Sequence, residues 1–138
     1  MTDENDDKNV KNTDSSLQVI EDWMKFVEWF WLTIEKFPKK ARFTLAGKLW
    51  TLTLEILDGL IDARYVPRSE KQIILLKIAR NLDKIRLLSR LATKYQYMTP
   101  KDYEKMAKEV ENVGCQISGW IRFLKEKEQN IDNIDNIQ

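Results

Sequence analysis

Residues 98–125 read "MTPKDYEKMAKEVENVGCQISGWIRFLK", and they decide the fold class because a helix start and a helix face are both written in them. Thr99 is a good N-cap, Pro100 takes the first helical position, where its missing amide donor costs nothing, and Asp102 favours the positive end of the helix dipole. From there Tyr103, Met106, Val110, Val113, Ile117, Trp120 and Leu124 recur at steps of three and four. That is the spacing of one face of a long amphipathic helix. Gly114 and Gly119 interrupt it, and each costs roughly 1 kcal/mol relative to alanine, so they serve either close helix approach or flexibility.

The same spacing recurs three times upstream. Before the Thr99 boundary, Ile74, Leu75, Ile78, Leu82, Ile85, Leu88 and Ala92 form one broad face, predicting a third helix that runs to about Tyr97. Its start is expected at Ser69, with Gln72 completing a capping box. "YVPRSE" separates it from a second helix, expected over Lys39–Tyr65. Pro38 separates that one from a first helix over Leu17–Lys36, because proline lacks a backbone donor and disfavours a helical residue before it. The first helix is expected to bury Ile20, Trp23, Met24, Val27, Phe30, Trp31 and Ile34. Almost nothing reads as strand. Four helices joined by short connections make antiparallel neighbours, so the expected fold is all-α, an up-down four-helix bundle over residues 17–128. Residues 1–16, polar and without periodicity, read as a disordered acidic arm. Residues 129–138 carry "NIDNIDNIQ", whose three-residue step fits neither a helical face nor a strand, and read as a flexible tail.

The 138 residues are enough for one core. The net charge of +1 hides an asymmetry: residues 1–35 carry nine acids and three bases, whereas residues 36–128 carry twenty bases and eleven acids. A basic middle fits an anionic partner, although a solvated lysine-rich surface gives the same count. The missing residue types exclude more. The chain has no histidine, which removes a Ser-His-Asp or Cys-His nucleophile pair, a histidine general base and histidine metal ligands. Cys115 is the only cysteine and fits a reducing compartment. The four glycines have no phosphate-loop spacing. Glu55, Asp58 and Asp62 follow helical spacing, yet a di-iron bundle also needs histidines, so they read as partners of neighbouring bases. The expectation is a non-enzyme with no cofactor and no metal. The acidic start lacks a signal-peptide layout, and "WMKFVEWFWLTI" is charged and shorter than the roughly 20 residues that span a bilayer. A cytoplasmic protein with no membrane partner is expected.

Two features point outward from the bundle. On the third helix Ile73, Leu76, Leu87 and Leu91 fall away from the core face. A second apolar stripe predicts contact with another chain, joined by Trp29 and Leu32 of the first helix; a wide core is the alternative. Among these residues lie Lys77, Arg80, Lys84 and Lys94, with Arg86 and Arg90 neighbours at four residues' distance. Guanidinium groups suit phosphate through planar paired donors, while Asp83 offers a plain surface partner. The second basic group is "KFPKKARFTLAGKLW" at residues 36–50, a helix entrance in which Lys39, Lys40 and Arg42 are available to an anion.

These motifs in this order resemble the accessory variability determinant (Avd) proteins of diversity-generating retroelements. The resemblance rests on Thr99, Pro100, Val113, Gly114, Gly119, Trp120 and Ile121, on Arg86 and Arg90 in "IRLLSRLA", and on Pro38, Lys39, Lys40 and Arg42. It covers about residues 18–127. It implies a non-catalytic, basic four-helix-bundle protein that assembles as a homopentameric barrel. The implied partners are the retroelement's reverse transcriptase and the template-repeat RNA, or its cDNA hybrid, in mutagenic retrohoming. The chain is more distantly similar to four-helix-bundle proteins encoded by intervening sequences of bacterial ribosomal RNA genes. An RNA-cleaving toxin of the HEPN type would share the helical class but needs a histidine. A purely structural self-assembling bundle needs only the second apolar stripe, and it stands as the alternative.

Overall fold

The structure is a computed structural model that describes residues 4–137, with side-chain surroundings over residues 15–134. Among these residues the chain forms four long α-helices and one 3-10 turn, and no strand. They are α1 (Glu4–Glu35), the turn Lys39–Ala41, α2 (Leu45–Tyr65), α3 (Arg68–Lys94) and α4 (Pro100–Ile137). Each helix packs on the next and α4 closes onto α1, while the backbones of the diagonal pairs stay farther apart among the described residues. This is the square section of an up-down bundle.

The core is built from the expected stripes, with one rotation. Leu75, Ile78, Leu82, Ile85 and Ala92 of α3 are buried against Met106, Val110, Val113, Ile117 and Leu124 of α4. On α1, Ile20, Trp23, Phe30 and Ile34 are buried, but Met24 and Trp31 are exposed and Val19 and Phe26 take their places inside. The cause lies in "WMKFVEWFWLTI", which offers large apolar groups on every side, so the neighbours select the face. Trp23 is fixed by its indole Nε1, which donates to the Thr53 carbonyl of α2 at 3.1 Å. It stacks on Phe26 at 4.6 Å, and Phe26 on Phe30 at 4.8 Å.

The helix boundaries show which local signals prevailed. At α4, Thr99 Oγ1 accepts from the Asp102 amide at 3.1 Å, the expected cap. The α3 capping box does not form: the helix begins at Arg68 behind Pro67, with no side-chain cap, and Ser69 sits inside its first turn. Proline's fixed φ has already committed the chain there. The second helix starts at Leu45 and not at Lys39, because Lys39–Ala41 is a 3-10 turn that buries Ala41. The third helix ends at Lys94, ahead of Tyr97, in a Schellman turn. The Tyr97 amide bonds the Ala92 carbonyl at 2.9 Å and the Gln96 amide bonds the Thr93 carbonyl at 3.0 Å, with Gln96 left-handed at φ 63°.

The termini run longer than the spacing predicts. Helix α1 begins at Glu4, ahead of Leu17, and the side chains of most of the expected acidic arm lie outside the described residues. Helix α4 continues through the Asn-Ile-Asp repeat to Ile137. No proline or glycine interrupts that extension, and its side chains are exposed to residue 134.

Candidate nucleic-acid interface

The antiparallel topology brings the basic entrance of α2 to the end of the bundle where α3 finishes. The Lys39–Ala41 turn meets the α3–α4 connection through Phe37, whose ring lies 5.8 Å from Tyr97, and through Lys40, whose Nζ stands 5.9 Å over the Tyr97 ring. Tyr97 in turn stacks on Tyr95, one residue beyond Lys94. Lys39, Lys40, Arg42 and Lys94 are therefore all on the bundle end formed by the start of α2 and the finish of α3, and all are exposed.

From that end the outer stripe of α3 runs the length of the helix. Ile73, Leu76, Lys77, Arg80, Lys84, Leu87, Leu91 and Lys94 follow steps of one, three and four residues, and all are exposed. Arg90 is exposed beside them, while Arg86 is half-buried. None of these bases is in an ion pair among the described residues; the Asp83 alternative does not form, and the one ion pair present joins Lys108 to Glu104 on α4. A row of free cations keeps its charge available to an anionic partner. Ile73 is 72% and Leu87 63% exposed, so the core does not absorb them. Leu32 is likewise exposed. Trp29 stands differently: it is half-buried on the core, with Lys105 Nζ 4.9 Å over its ring.

The carboxylates Glu55, Asp58 and Asp62 lie exposed on the outer stripe of α2 with Leu54, Ile61 and Tyr65. They face away from the bundle interior. They form no ion pair among the described residues, against the sequence reading that they pair with neighbouring bases.

Three features have no sequence signal. Lys71 bends back to the end of α2, donating to the Ala63 and Arg64 carbonyls at 2.6 and 3.2 Å, and burial pushes its pKa down. It supplies the cap that the α2 C-terminus lacks. Asp22 gathers amides from two helices, Gln18 on α1 and Asn112 and Gln116 on α4. Between α1 and α2, Trp31 and Trp50 meet at 4.5 Å beside an open cleft of about 550 Å³. No helix among the described residues is long and apolar enough to cross a membrane.

A family model described as bAvd-like matches residues 16–124, from Ser16 within α1 to Leu124 of α4. No curated protein matches the chain.

Proposed function

The chain belongs to the bAvd-like family, and from that membership we propose that it is a non-catalytic accessory protein of a diversity-generating retroelement. In this reading it binds the reverse transcriptase and the template RNA and supports mutagenic cDNA synthesis, with the polymerase supplying all chemistry. The observation that carries the proposal is the outer stripe of α3, where bases without an ion pair among the described residues stand between the exposed Ile73, Leu76, Leu87 and Leu91. Phosphates are held by the bases, through contacts that are largely independent of sequence and weaken with salt. The apolar ends of the stripe, Ile73 and Leu76 at one side and Leu87 and Leu91 at the other, are the contact with further copies of the chain. A closed ring of such copies would present its bases as a continuous basic surface.

The test is cDNA synthesis by the cognate polymerase on template-repeat RNA, with and without the protein. Addition of the protein should raise adenine-directed cDNA output, and Lys84→Glu combined with Arg90→Glu should abolish the gain while the helical spectrum is retained. Output that is indifferent to the protein would overturn the proposal.

A further inference from the structure

The cleft between α1 and α2 combines features that neither a bundle core nor a salt-linked surface requires. Trp31 is 43% exposed although it belongs to the most apolar segment of the chain. It leans on Trp50 at 55° between ring planes, so the two indoles form a corner and not a closed stack. Phe37 continues the wall, and Glu35 and Arg42 line the opening. No ion pair joins Glu35 or Arg42 to another described residue. Gly47 lines the same wall: a Cβ there would come within 3.0 Å of the Arg42 carbonyl, so the absence of a side chain lets the turn close against α2. Residues 36–48 hold Lys36, Lys39, Lys40, Arg42 and Lys48 and no acid, and Phe43 among them is 92% exposed.

Aromatic faces beside a cation are the chemistry that holds unpaired nucleotides: the base stacks on the ring, and its phosphate is drawn to the cation, here Arg42 of the cleft lining. We propose that the Trp31–Trp50 cleft binds an unpaired nucleotide of single-stranded RNA, with the base on Trp31 and its phosphate at Arg42. The Glu35 carboxylate accepts from a base amino or ring N–H group, which gives the pocket an edge contact as well as a face. Duplex RNA is not a ligand for this cleft, because its bases are already stacked and present no free face. The inference rests on the RNA-binding reading of the family and adds to it a place for unpaired bases, apart from the phosphate contacts of α3.

The test compares a labelled single-stranded RNA dodecamer with an RNA duplex of the same length, by fluorescence anisotropy across a salt series. Trp31→Ala should weaken single-strand binding about tenfold, in line with the loss of one stacked base. It should leave duplex binding and the slope of affinity against salt unchanged. Trp31→Phe keeps a stacking face and should retain affinity, while the RNA-induced quenching of tryptophan emission drops. Equal affinities of wild type and Trp31→Ala for the single strand, or equal losses on single strand and duplex, would overturn the cleft assignment and leave the α3 reading standing. Unchanged quenching in Trp31→Phe would also overturn it. Loss of polymerase capture by Trp31→Ala with RNA affinity intact would assign the cleft to a protein ligand instead. Wild-type protein that binds neither RNA would sink this inference and the RNA part of the proposed function together.

Discussion

Gln116 of α4 donates its side-chain amide to the Asp22 carboxylate of α1 at 2.9 Å, and this hydrogen bond ties the last helix to the first. Gln18 donates to the other carboxylate oxygen at 2.8 Å, and Asn112 approaches at 3.5 Å. Burial raises the Asp22 pKa, but the amides of Gln116, Gln18 and Asn112, with the charge of Lys25, outweigh it, and the net pKa lies below the ordinary value of 3.8. The folded state therefore holds the charged carboxylate more tightly than the unfolded chain does. That stabilisation is fully present above the ordinary value and is lost as pH falls through the lower folded value. Asp22→Ala should lower unfolding stability at pH 7 by about 1 kcal/mol, a typical net hydrogen-bond contribution. The gap from wild type should shrink once the pH drops below 3.8, as read by urea unfolding across a pH series; a gap independent of pH would contradict it.

Two glycines should answer an alanine substitution with opposite signs. At Gly59 a Cβ would meet Ile78 Cγ1 at 2.9 Å, so Gly59→Ala must push α2 away from α3 or displace a buried isoleucine. A loss of about 1–3 kcal/mol is expected, as for overpacking. At Gly114 a Cβ would meet nothing within 4 Å. Gly114→Ala should therefore gain roughly 1 kcal/mol from helix propensity alone. Thermal unfolding at fixed protein concentration separates the two.

Gln96 is the other backbone site open to improvement. It holds the left-handed position of the α3 Schellman turn at φ 63°, where a side chain is penalised and glycine is not. Gln96→Gly should raise stability by about 0.5–1 kcal/mol, less than the full penalty because glycine is also freer when unfolded. A fall in the melting temperature would contradict the Schellman assignment.

The apolar ends of the α3 stripe should control self-association. Leu87→Asp with Leu91→Asp places two charges where the proposed contact is apolar, so sedimentation should show smaller particles than wild type at equal concentration. Both positions are exposed in the single chain, so the monomer should keep its helical spectrum.

The legible parts of this molecule are the ones fixed locally. The α4 start was readable because Thr99, Pro100 and Asp102 act within one turn, and the α3 core face because Lys77, Arg80 and Lys84 fall among its second apolar group and mark that side as the outer one. The face of α1 was not, since large apolar residues crowd every side of residues 23–34, four of them consecutive at Trp29–Leu32, so several rotations fit and the choice belongs to Thr53, α2 and α4. The α2 start escaped because the Lys39–Ala41 turn is held from outside, by the Phe37 and Lys40 contacts with Tyr97. The bases of α3 could be named from spacing, but their freedom from ion pairs could not. The Trp31–Trp50 corner joins residues on different helices, one of them expected in the core, so no run of sequence displays it.

The most direct test of the central claim is the light-scattering mass of the protein alone, and then with the cognate reverse transcriptase and template RNA, at low and moderate salt. The account predicts a multi-protomer particle, pentameric by the family reading, that gains polymerase and RNA and releases RNA as salt rises. A monomer that takes up neither partner would contradict it.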